Sequence, residues 1–189
     1  LQPQTHERVS RGGVRLLSRL ALPPGRYQIH VGAYEATGST TGTVPYDIEV
    51  PDYAKSPLGL SGVLLTSSQA DLLVTPNPDP MLKDILPASP VARRRFSAAE
   101  TLTVYAEVYD NSSQGRAIAI ATTVLDANDG RKVFEATDRR AAQPSVKVQG
   151  FTTELPLKGL SQGTYVLRVE ASAGAGGPSA RRDVLFEVQ

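Results

Sequence analysis

Leu160-Ser-Gln-Gly163-Thr-Tyr165-Val-Leu167-Arg-Val169-Glu-Ala171 has a twin in the same chain, Leu22-Pro-Pro-Gly25-Arg-Tyr27-Gln-Ile29-His-Val31-Gly-Ala33. Both follow L-x-x-G-x-Y-x-(Ile/Leu)-x-V-x-A. The two glycines, the two tyrosines and, further on, Val50 and Val188 all share an offset of 138 residues. A repeat held in register over two strands and their loop is structural. In each copy apolar residues alternate with others, the period of a strand with one face on a core. The glycine is read as permitting a turn that a Cβ would obstruct. The tyrosine two residues on is read as laying its ring on the core while its hydroxyl bonds upstream backbone.

Gly25, Tyr27, Gly163 and Tyr165 resemble the tyrosine corner of immunoglobulin-like sandwiches. Antibody domains place a cysteine two residues after that tyrosine, where this chain has Ile29 and Leu167. Apolar packing must therefore hold the sheets together. The expected fold is all-β, tandem immunoglobulin-like β-sandwich modules with the first one partial. Residues 1–52 would supply only the C-terminal strands of a module, 53–57 a linker, and 58–189 a complete sandwich.

Composition narrows the function classes. Apolar residues make up 40% of the chain and charged ones 21%, ordinary for a globular protein. Fourteen prolines and sixteen glycines point to short strands separated by turns. The absence of cysteine excludes disulfides and thiol chemistry. A net charge of +1 lacks the basic footprint of a nucleic-acid binder, so no nucleic acid is expected. No apolar run is long enough to span a membrane. The chain starts at Leu1 in polar sequence and is expected to be a fragment of something longer.

Taken in order, residues 1–13 suggest a frayed arm or a short strand over Glu7 to Ser10. Val14 to Leu22 is a strand candidate, although helix fits its mixed pattern too. Thr43 to Val50 alternates Val44, Tyr46, Ile48 and Val50 inward. Three strands are marginal alone, so the missing ones should lie upstream, or intermodule or homo-oligomeric packing should take their place. Two prolines bracket the 51–57 linker. Leu58 to Ser67 reads as a first strand. The proline-rich passage 75–90 is either functional or a wrap over the sandwich, with Met81, Leu82, Ile85 and Leu86 able to form a helical turn. Strands follow over 101–110, 117–126, 131–136, 147–157, 164–171 and 180–188, with Asp129-Gly130 as a tight hairpin turn.

The groups able to do chemistry are few. His6 lies in the polar arm and His30 on the outward face of its strand, with no nucleophile placed nearby. Two histidines without cysteine do not make a zinc site. Asp110, Asn111, Asp126 and Asp129 could offer oxygens to calcium, but these are also the usual turn residues. Arg93–Arg95, Arg139-Arg140 and Arg181-Arg182 have no interleaved aromatics and read as solvated strand ends. No catalytic residue, cofactor or metal is assigned. Four apolar residues opposite their strands' core positions form the candidate contact surface: Tyr105, Tyr109, Val166 and Leu185.

Leu22 to Ala33, Tyr46-Asp-Ile-Glu-Val-Pro-Asp52, Leu60-Ser-Gly-Val-Leu-Leu-Thr66 and Tyr105-Ala-Glu-Val-Tyr-Asp-Asn111 occur in this order. Together they resemble the C-terminal region of large exported bacterial proteins related to von Willebrand factor type A, of the acidobacterial kind. The resemblance implies a secreted, periplasmic or cell-surface location and sandwich modules that follow an adhesive domain. The D-x-S-x-S metal signature of that adhesive domain is missing, since Asp110-Asn-Ser112-Ser113-Gln114 departs from it. The expected function is a non-catalytic spacer or protein-interaction module of an exported bacterial protein, not an enzyme. The alternatives are a carbohydrate-binding module, with Tyr34, Tyr53, Tyr105 and Tyr109 as platforms, or an accessory domain of an extracellular enzyme.

Overall fold

The computed structural model describes residues 2–35 and 37–189. Arg19–Ser56 forms one compact unit; the chain up to Ser18 joins Pro57–Gln189 in the other. The division differs from the expected 1–52, 53–57 and 58–189, because the segment before Arg19 groups with the residues after Ser56.

The smaller unit is an antiparallel hairpin of β1 (Gly25–Glu35) and β2 (Thr40–Val50). In the larger unit follow β3 (Leu58–Leu60), β4 (Leu64–Ser67), β5 (Arg95–Phe96), β6 (Thr101–Asp110), β7 (Ile118–Asp126), β8 (Lys132–Arg140), β9 (Val148–Pro156), β10 (Gly163–Ser172) and β11 (Ser179–Val188). One sheet runs β5-β11-β10-β7-β8; in the other, β6 pairs with β3 and β4 on one edge and with β9 on the opposite one. Leu102, Val104, Ala106 and Val108 of β6 meet Ile120, Val124, Leu167 and Val169 of the facing sheet in one core. The fold is all-β, an immunoglobulin-like sandwich without disulfides.

Leu58 to Ser67 does not run as one strand. Ser61 breaks it because its Oγ accepts the amide of Glu107, 2.9 Å away, where a ladder carbonyl would otherwise stand. Residues 75–90 hold the short helix α2 (Pro80–Lys83), capped by the Asp79 carboxylate on the Met81 amide at 2.9 Å. The passage then lies along β4, with Val91 N–H donating to Leu65 O and Thr66 Oγ1 to Ser89 O.

The N-terminal expectation needs correction. Pro3–Gly12 is an α-helix, α1, with proline in its first turn, a Glu7–Arg11 ion pair one turn apart and a stop at Gly13, φ 80°. None of its residues is buried, so apolar periodicity had nothing to register. Val14 to Leu22 forms no strand either. It contributes one isolated bridge, Val14 to Val74, while Arg15 donates to Ala70 O at 2.7 Å and Ser89 O at 3.1 Å.

In the larger unit two ion pairs among the described residues bury their carboxylate, Arg93–Glu100 and Arg116–Asp110. Glu100, its side chain 1% exposed, accepts from both terminal nitrogens of Arg93 and from the Ser97 amide at 2.9 Å. The Arg93 guanidinium lies 4.7 Å above the Phe96 ring. Burial alone would raise the Glu100 carboxyl, but bonds from Arg93, Ser67 and Ser97 outweigh it and hold the group below its ordinary value.

Candidate interaction surface

The four residues of the sequence-derived contact surface do not come together. Tyr105 and Tyr109 lie on the outward face of β6 in one sheet, whereas Val166 and Leu185 are cross-strand partners on the outward face of the other. Tyr105 is only 6% exposed. It is buried because its ring lies over Gly150, where an added Cβ would stand 3.1 Å from it. Its hydroxyl donates to Glu107 Oε1 at 2.9 Å, and that of Tyr109 to Oε2 at 2.7 Å. One carboxylate thus holds two phenols down onto the sheet, an arrangement that removes Tyr105 as a stacking platform. Val166 is half-buried and Leu185 is 61% exposed, a single apolar side chain of the kind that surfaces commonly carry.

The corner residues give a clearer result. Tyr165 donates to Ser161 O at 2.8 Å, and Tyr27 donates to Pro23 O at the same distance. Register repeats as well: Gly163 faces Val188 and Tyr165 faces Phe186, as Gly25 faces Val50 and Tyr27 faces Ile48. The role expected of Gly25 and Gly163 is not supported. Neither has a positive φ, and an added Cβ would meet only the tyrosine ring, at 3.5 Å and 4.0 Å, ordinary van der Waals range. The tyrosine, not the glycine, makes the corner.

A different apolar surface emerges, one that inward-facing alternation concealed. With β1 and β2 paired in this register, Tyr27, Ile29 and Val31 share a face with Ile48, Tyr46 and Val44. The root of this face is half-buried. Toward the tip, Val31 and Val44 are 64% exposed and Tyr46 67%. The opposite face carries Arg26, Gln28, His30, Asp47 and Glu49, with Gln28 Nε2 donating to Asp47 Oδ1 at 2.9 Å. His30 is exposed and shares a 2.9 Å hydrogen bond with the Gln28 side chain.

The loop carboxylates are turn residues. Asp126 accepts from the Asn128 amide at 2.9 Å and Asp129 from that of Arg131 at 2.8 Å. Asp110 is buried and accepts from the Ser112 amide and hydroxyl and from Arg116. Its burial acts to raise its carboxyl, and the Ser112 bonds and the Arg116 charge bring it below the ordinary value. Among the described residues no group of three or more His, Cys, Asp or Glu is placed to hold a metal ion. No helix among the described residues is long and apolar enough to cross a membrane. The 75–90 passage walls a recess of about 200 Å³ lined by Leu82, Leu86, Pro87 and Pro90 among others.

No family model matches the chain, and no curated protein matches it. Among solved structures it is similar to the C-terminal domain of Wzt, with 12% identity, a TM-score of 0.48, and 71% of this chain and 75% of that one covered. An adhesin from Mobiluncus mulieris containing intramolecular disulfide, isopeptide and ester bond cross-links has 12% identity and a TM-score of 0.40, covering 71% and 58%. Bacteroides uniformis β-glucuronidase has 9% identity and a TM-score of 0.43 over 69% of this chain, which spans 14% of that enzyme. These likenesses are distant, and the fold assignment rests on the two sheets themselves.

Proposed function

We propose that this chain is a non-catalytic β-sandwich segment of a larger exported protein and that it serves protein contact. The observation that carries the reading is the apolar face of the β1–β2 hairpin, where Val31, Val44 and Tyr46 stand more than three-fifths in solvent. Apolar side chains gathered on one strand face mark a surface meant to be covered. The polar back of the same ribbon makes its two faces unequal and gives a partner one side to choose.

Photo-crosslinking in producing cells tests this. A photoreactive residue at position 31 or 44 should give a discrete protein adduct, and one at position 30, on the polar face, should not. No adduct from either apolar position would overturn the reading. So would clear turnover in ester, peptide or glycoside hydrolase panels. Fractionation that left the protein in the cytosol would remove export.

Carbohydrate binding is a second reading, favoured by Tyr34, 66% exposed and on the opposite face of the ribbon from Tyr46. Aromatic rings offered to solvent are the usual sugar platforms. Silence of a glycan array with and without calcium would remove it.

A further inference from the structure

The chain contains its own answer to what should cover the hairpin. β10–β11 matches β1–β2 residue for residue in register and in the tyrosine hydrogen bond, and its surroundings are fully described. Along its first strand runs β7, antiparallel, with Val124, Thr122 and Ile120 opposite Leu167, Val169 and Ala171. Along its second strand lies β5, parallel, its ladder limited to Glu187 and Val188. Among the described residues β1 and β2 pair only with each other.

Resting on the reading of this face as a contact surface, we infer that β1–β2 is the closing hairpin of a second immunoglobulin-like sandwich. Its partner is the remainder of that sandwich, a module lacking its own last two strands. The partner's strand runs antiparallel to β1, placing residues opposite Ile29, Val31 and Ala33, and a two-residue parallel contact reaches Glu49 and Val50. Its facing sheet covers Val31, Val44 and Tyr46.

Area decides between this occupant and a second copy of the hairpin. Strands of eleven residues at about 3.3 Å each, two side by side about 4.8 Å apart, make a face of roughly 350 Å². A stable interface buries about 800 Å² on each partner. Two hairpins laid face to face fall short by more than half. A partner that takes both edges and the face adds backbone hydrogen bonds to the apolar contact, as strand addition does.

Hydrogen exchange on the 1–189 chain tests the inference, together with a chimera in which residues 163–188 are replaced by 25–50, twenty-six residues for twenty-six. In the unsubstituted chain β1 amides should exchange quickly at every protein concentration while β10 amides stay protected. In the chimera the grafted β1 amides should gain about 100-fold protection or more. A second chimera with Ile48→Phe in the graft restores the ring that Phe186 supplies. Protection of β1 in the monomeric unsubstituted chain overturns the inference, because the hairpin would already be covered. Protection that grows with concentration overturns it in favour of a second copy. Grafts that stay unprotected, or that abolish cooperative unfolding in both chimeras, overturn it too. In those last outcomes the crosslink from position 31 still stands or falls separately, so loss of the sandwich partner does not remove the contact role.

Discussion

The hairpins 25–50 and 163–188 share register, corner hydrogen bond and residue pattern, yet one sits inside a core and the other faces solvent. Leu167 and Val169 are 0% exposed, whereas their counterparts are Ile29, half-buried, and Val31, 64% exposed. Local sequence therefore specifies the ribbon and its corner, while burial comes from strands far away in the chain: β7 at the edge and β6 across the core. The same twelve-residue pattern has different energetic weight in its two places. That difference can be measured.

The largest effect should come from the inward positions. Leu167→Ala should lower stability by about 3 kcal/mol, since the site is sealed between two sheets and leaves a cavity. Ile29→Ala should change it by less than about 1 kcal/mol, because water already reaches that side chain. Denaturant titrations of both variants test the contrast, and equal losses would break it.

Charge separates the two regions next. In the sandwich Glu100 is buried against Arg93; in the hairpin Arg26 and Glu49 lie 3.6 Å apart with side chains 88% and 67% exposed, a pair that solvent screens. Glu100→Gln should cost about 2 kcal/mol at neutral pH, the scale of losing a hydrogen bond to a charged group. The folded carboxyl titrates below its unfolded value, so its contribution is complete above about pH 4.5 and is lost as pH falls through the folded value. Asp110, also depressed, adds to the same acid limb below about pH 3.8. Melting curves across this range should show a shallower acid limb in Glu100→Gln. An unchanged limb would mean that the pair does not stabilise the fold.

Corner chemistry should come third. Tyr165→Phe should cost about 1 kcal/mol through the lost bond to Ser161 O, because Tyr165 is 3% exposed. Tyr27→Phe loses the same bond at a wetter site and should fall within about 0.5 kcal/mol of the parent. Gly163→Ala should also be mild, within about 1 kcal/mol, since backbone and space there accept a Cβ. A large loss at Gly163 would restore the turn role that its φ does not support.

Much of this was legible in the sequence, for identifiable reasons. Alternation in Thr101–Asp110 and Ile118–Asp126 gave those strands because each has one dry face, and Asp129-Gly130 gave its turn because Gly130 needs φ 73°. α1 was not legible, since it buries nothing and its signals are only a first-turn proline and one ion pair. The break at Ser61 depends on Glu107, 46 residues away. Burial of Tyr105 depends on a glycine in the neighbouring strand, Gly150. The contact surface escaped for a related reason. Inward alternation in β1 and β2 reads as core, and only the sheet pairing tells that among the described residues no further strand pairs beside them.

The smallest expected effect concerns the strand that covers β10 and has no described counterpart beside β1. Thr122 of β7 faces the core between Ile120 and Val124, 1% exposed, directly across from Val169. Its Oγ1 is the one buried side-chain oxygen without a hydrogen-bond partner among the described residues. A hydroxyl in that state has lost its water and gained nothing in return. Thr122→Val keeps the branched shape and removes the stranded oxygen, so it should leave stability unchanged or raise it by up to about 1 kcal/mol. Thermal unfolding would register the gain. A clear loss would mean that the hydroxyl has a partner, such as a trapped water, and that the seam between β7 and β10 is wetter than its apolar lining indicates.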